Sequence, residues 1–367
     1  MSLKLAMRQA ARRAPRQLGE SAALVRAFLR SRQNPDGGFQ DRAGRSDLYY
    51  TVFGLDALDA FGETPDLATL ESFLRSLGAG ESLDFVHLTC LARCWSALPG
   101  KLAPATRQAL LKKLLTFRAQ DGGFAPTPAA PHSTAYACLL GGEALQTLEA
   151  PGGIFSKAWK TALALVAPMN FLSTQSRKEQ TKGAKEADEC GNKEVRESEP
   201  SGTAVLAVKL NDSTTENHKS LIINHKSFGS RRVLRFMEQF RSADGAYSNE
   251  PGLPLGSTTA TAAVVSVLCE LGAPVPQEVA PWLLARCQSR GGFCATPQTP
   301  LPDLLSTAVA LHALTALGTP LDAIKEPCLN FVDSLWDNAG GFHGHWADDA
   351  LDVEYTFYAL LALGHLA

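Results

Sequence analysis

The sequence predicts an all-α fold built from six helix-hairpin repeats, and three observations carry that expectation. A glycine turn ending in an aromatic residue occurs five times: Asp36-Gly-Gly-Phe39, Asp121-Gly-Gly-Phe124, Asp244-Gly-Ala-Tyr247, Arg290-Gly-Gly-Phe293 and Ala339-Gly-Gly-Phe342. The spacing is regular: Tyr247 and Phe293 are 46 residues apart, and Phe293 and Phe342 are 49 apart. Phe39 and Phe124 are 85 apart, which is two units with a degenerate one between them. Finally, the residues of the apolar face after the turns (Val52, Leu55, Leu58 and Val309, His312, Leu314, Leu317) recur at a helical period and do not alternate.

The elements follow in chain order. Residues 1–19 carry Lys4, Arg8, Arg12, Arg13 and Arg16 and are expected to form a basic helix or tail. Repeats one to three fill 20–150, with helices opening at Asp47-Leu-Tyr-Tyr-Thr51, Asp84-Phe-Val-His-Leu-Thr89 and His132-Ser-Thr134. The second of these lacks the glycine turn. Repeats four to six fill 231–367 and open at Ser257, Asp303 and Asp352. Asp or Ser at such a start can cap the helix, because its oxygen accepts from backbone N–H groups that have no helical partner. Glycine in the turn permits the positive φ of a helix–loop junction. Between the halves, Phe124 to Tyr247 exceeds one unit by roughly 75 residues. The stretch 151–230 holds nine of the fourteen lysines and is largely polar, so a disordered insertion is expected there, with a regulatory or partner-binding loop as the alternative. Six helix pairs can stack as a solenoid or close into a ring; periodicity allows either.

Composition narrows the function. The 367 residues are 45% apolar and carry a formal net charge of −2. That balance lacks the basic footprint of a general nucleic-acid binder. No apolar run reaches the length of a transmembrane segment, and no cleaved secretory signal is expected. The eight cysteines include no CxxC pair. Reduced, mostly buried thiols in a cytoplasmic protein are the economical expectation.

Gln33-Asn-Pro-Asp-Gly-Gly-Phe39, the other glycine–aromatic turns and Asp352-Val-Glu-Tyr-Thr-Phe-Tyr358 resemble the repeats of the prenyltransferase/squalene-cyclase superfamily. The likeness is greatest to β subunits of protein prenyltransferases, the type II geranylgeranyl enzyme in particular. It covers residues 20–150 and 230–367. The resemblance implies an α/α toroid with an apolar central cavity, and an enzyme that joins an isoprenoid diphosphate to a protein cysteine thiol. A helical α-type subunit or a peptide substrate would be its partner. Zinc would be its cofactor, because the metal lowers the pKa of the attacking thiol.

Residue by residue, the likeness is best in repeats one and two. Arg42 and Arg45 stand at the family's diphosphate-binding positions, with Tyr50 beside them. Asp47-Leu-Tyr49-Tyr50-Thr51 resembles the family's zinc motif D-x-C-Y-S, with Tyr49 in place of the cysteine. Asp84-Phe-Val-His87 resembles D-x-x-H-T, which supplies the histidine ligand. His87, Cys90 and Cys94 share a helix face, so Asp47, His87 and Cys90 form a candidate three-ligand zinc site. The plainer alternative makes Asp47 and Asp84 caps, Cys90 core, and His87 a cavity residue. In the C-terminal register, Leu305 and Tyr355 stand where cysteine and histidine would be needed.

Tyr49, Phe53, Phe85, Tyr136, Tyr355 and Tyr358 are the candidate cavity wall. Asp348-Asp-Ala-Leu-Asp352 spells the magnesium-binding DDxxD motif, but Asp352 is better placed as a helix cap. Three functions follow: prenyl transfer to a thiol, a non-catalytic toroid binding a lipid or peptide, and, third, a terpene-cyclase-like enzyme, whose DxDD acid motif is missing.

Overall fold

The computed structural model describes residues 3–149 and 233–367, so the expected insertion at 151–230 lies outside the described residues. The helices are α1 (Leu3–Ala11), α2 (Ala14–Leu18), α3 (Ala22–Ser31), α4 (Leu48–Ala60), α5 (Leu67–Ser76), α6 (Phe85–Trp95), α7 (Pro104–Leu115), α8 (Ala135–Glu149), α9 (Thr258–Leu271), α10 (Val279–Leu284), α11 (Leu304–Ala316), α12 (Asp322–Asp333) and α13 (Val353–Leu366). Two short antiparallel hairpins, β1 (Phe39–Gln40) with β2 (Ser46–Asp47) and β3 (Phe293–Cys294) with β4 (Pro302–Asp303), tie glycine turns to the helices that follow.

Helices α4, α6, α8, α9, α11 and α13 each pack on the next, and α13 packs back on α4. The six inner helices therefore form a closed ring. Outside it, α3, α5, α7, α10 and α12 lie against α4, α6, α8, α11 and α13. The chain is an α/α toroid.

The glycine turns explain why the ring closes. A Cβ on Gly37 would stand 2.5 Å from the Thr69 backbone of α5, and one on Gly291 would stand 1.9 Å from the Pro327 carbonyl of α12. Each turn thus seats the next outer helix against bare backbone. Gly340 in the last turn does the same to Leu24 of α3, the first outer helix, at 2.3 Å.

The recurrent Asp-to-Thr spacing also has a physical basis. Asp47, Asp303 and Asp352 accept from backbone N–H groups of the first helical turn. Four residues on, the hydroxyls of Thr51, Thr307 and Thr356 donate to the cap's own carbonyl at 2.6–2.7 Å. The same hydroxyls accept from the turn aromatics Phe39, Phe293 and Phe342. Cap, threonine and aromatic therefore lock the turn to its helix, and all five turn aromatics are fully buried. In the third repeat, Cys138 replaces the threonine and accepts from Phe124 N–H.

Helix α1 lies across α13, α4 and α9 at the C-terminal end of the ring. Arg8 and Arg12 bind Asp59 of α4, and the backbone of Ala10 sits on Gly364 of α13. A Cβ at Gly364 would meet the Ala10 carbonyl at 1.9 Å. Gly364→Ala is therefore expected to lift α1, costing about 1–3 kcal/mol. Trypsin should then cleave at Arg8, Arg12 or Arg13 well before the parent is cut.

Candidate functional site

The ring encloses a cavity of about 420 Å³, crossed by α1 at one end; the opposite end, where the lining residue Tyr136 is exposed, is its mouth. Its wall is layered, because residues two, six and nine positions past each cap share one helix face. Tyr49, Tyr136, Thr259 and Leu305 form the upper layer. Phe53, Leu140, Ala263, Val309, Phe357 and Tyr358 form the apolar middle. Arg93, Glu143, Ser266 and His312 form the floor, and Met7 of α1 reaches it from below.

The floor is polar although it is deeply buried. Asp56, Glu143, Ser266 and His312 are 3–6% exposed. Arg93 donates to Asp56 at 3.1 Å and stands 3.7 Å from Glu143. His312 Nδ1 lies 3.0 Å from His365 Nε2. Burial pushes the His312 pKa down to about 4, so this imidazole is neutral.

At the mouth the first repeat meets the last. Arg42 makes a bidentate pair with Asp348 and a 2.9 Å bond to Asp352. The Tyr49 phenol donates to Glu354 at 2.6 Å. Burial raises the Glu354 pKa to about 7, against the opposing pull of that bond. His87 lies between two carboxylates, with Nε2 3.1 Å from Asp47 and Nδ1 2.9 Å from Asp84. Burial works against its charged form, but the Asp84 and Asp47 contacts prevail and raise its pKa.

The signs of these two shifts agree. A group whose folded pKa is raised adds stability below its unfolded pKa and loses it as pH rises through the folded value. Between about pH 5 and pH 8 the toroid is therefore expected to lose stability, as Glu354 ionises and His87 deprotonates. Urea midpoints at the two pH values check this, and His87→Gln with Glu354→Gln should flatten the difference.

Several expected site residues are placed otherwise than the sequence suggested. Arg42 and Arg45 do not converge on one anion site: Arg42 is held by Asp348 and Asp352, and Arg45 by Asp41. Tyr50, half-buried, stands one position round the helix from the cavity stripe. Of the expected wall, Tyr49, Phe53, Tyr136 and Tyr358 line the cavity. Phe85 does not; it follows its cap directly, which turns it into the core against Phe117 and Phe124. Tyr355 lies three residues past its cap, at the rim under Arg42.

The zinc set does not assemble. Asp47 and His87 meet, but both His87 nitrogens are engaged by carboxylates. Cys90 is buried about 4.5 Å deeper along α6, and burial pushes its thiol up to about 12. Among the described residues, no group of three His, Cys, Asp or Glu side chains is arranged to hold a metal ion. The residues present do not fit the zinc that the resemblance implies.

Against known families, the sequence model of the prenyltransferase alpha-alpha toroid domain matches residues 16–91, 81–290 and 260–366. The chain belongs to this family. No curated protein sequence matches it. No helix among the described residues is long and apolar enough to cross a membrane. Within this toroid the floor was the part that sequence reasoning missed. Its signal was there: five of the six inner helices carry a polar residue nine positions past the cap (Asp56, Arg93, Glu143, Ser266, His312) inside otherwise apolar runs.

Proposed function

We propose that this prenyltransferase-family toroid holds an isoprenoid-like apolar molecule in its central cavity without transferring it through a zinc thiolate. The observation that carries this reading is the cavity itself. Its 420 Å³ falls within the range of small-molecule sites, and its middle layer is aromatic and aliphatic. From the upper layer to the floor is about 10 Å, seven residues of helical rise, which suits a short isoprenoid. The mouth supports binding without transfer, since its arginines are engaged by carboxylates and a phenol stands at the third zinc position.

Titration with farnesol and farnesyl diphosphate tests the reading. Farnesol is expected to bind, the diphosphate no more tightly, and Arg42→Ala with Arg45→Ala to leave their ratio unchanged. Diphosphate binding at least about tenfold tighter, and lost in the double variant, would restore the transferase. One observation favours that second reading, the Asp47–His87 pair at 3.1 Å. Metal analysis separates the two. The parent is expected to purify without stoichiometric zinc, and Tyr49→Cys to gain about one zinc per chain.

A further inference from the structure

The floor holds hydrogen-bonding groups that no described residue uses. Ser266 is 3% exposed, lines the cavity, and its hydroxyl has no hydrogen-bond partner among the described residues. His312, on the neighbouring helix α11 at the same depth, uses Nδ1 for His365 and has no partner for Nε2 among the described residues.

The histidine pair decides what His312 offers. His365 Nδ1 is buried with no partner among the described residues. A buried N–H without an acceptor costs more than a buried lone pair without a donor. The cheaper arrangement leaves the lone pair on His365 Nδ1, so His365 Nε2–H donates to His312 Nδ1. His312 must then carry its own proton on Nε2, which faces the cavity as a donor. Ser266 can donate or accept. Arg93 and Glu143 complete the layer, but their charges are satisfied by each other and by Asp56. The open positions suit an uncharged oxygen.

We infer that the cavity selects an isoprenoid-like ligand bearing a hydroxyl or carbonyl oxygen at the end that enters first, with Ser266 and His312 as its specificity-determining residues. This deepens the proposed function and rests on it. The polar end points down, toward α1, and the hydrocarbon fills the aromatic middle layer. A wholly hydrocarbon end would leave both groups unpaired, at a cost that discriminates between ligands.

The test compares farnesol with the hydrocarbon farnesene on the parent, Ser266→Ala and His312→Phe. The parent is expected to prefer farnesol, and each variant to reduce that preference roughly fivefold by weakening farnesol alone. Ser266→Ala removes one oxygen that bonds to no described residue, so it should keep the parent's melting temperature and serve if His312→Phe folds poorly. Equal binding of both probes by the parent, or an unchanged preference in Ser266→Ala, overturns the inference and leaves the cavity reading intact. If the parent binds neither probe, both fail together.

Discussion

Replacing Arg93 with leucine is expected to destabilise the toroid by about 3–5 kcal/mol, the cost of removing one partner from a buried ion pair. Arg93 comes from α6, and its guanidinium serves Asp56 of α4 and Glu143 of α8. Three consecutive inner helices are therefore joined through one side chain that is only 12% exposed. Without it, the two carboxylates lose their shared cation in a low-dielectric floor, with Arg8 still 3.8 Å from Asp56. Removing the carboxylates as well, with Asp56→Asn and Glu143→Gln, should recover much of the deficit at neutral pH. Urea unfolding of the single and triple variants measures this. A loss below about 1 kcal/mol would mean that the network is solvated and contributes as surface pairs do.

Gly340→Ala is expected to be nearly as damaging, at about 3 kcal/mol, because two costs combine there. Its φ of +94° is strained for alanine, and the new Cβ would press into the Leu24 carbonyl region of α3. Gly245 separates the two costs, since its φ is +88° but its nearest neighbour would be Glu278 Cγ at 3.6 Å. Gly245→Ala should therefore show strain alone, about 1–2 kcal/mol. The comparison probes ring closure in solution. In an open stack the last turn would have no outer helix beyond it, and the two glycines would behave alike.

What was legible in the sequence was what is local. Caps such as Asp47 and Asp352 and the glycine–aromatic turns depend on residues within one repeat, so spacing exposed them. Ring closure depends on Gly340 meeting Leu24 across the whole chain, which no local period encodes. The arginines failed for the same reason. Arg42 looked available for a phosphate because Asp348 and Asp352 lie some 300 residues away. Phe85 shows a finer limit: one position after the cap points into the core, whereas two positions points into the cavity, and aromatic type alone does not distinguish them. The floor was legible in principle, because a polar residue at a fixed depth in apolar helices is periodic. Ser266 and His312 match no catalytic motif, so only their shared depth in the helices marks them.

The proposed function requires a ligand in the space enclosed by the inner helices. Ala263 is buried in the cavity's middle layer, and Ala263→Phe would fill the space there. Equilibrium binding of radiolabelled farnesol to the parent and to Ala263→Phe, with helix content checked by circular dichroism, addresses this directly. Occupancy of the cavity predicts saturable binding by the parent and at least about a hundredfold loss in a folded Ala263→Phe. Undiminished binding by the filled variant would place the ligand elsewhere and contradict the central claim.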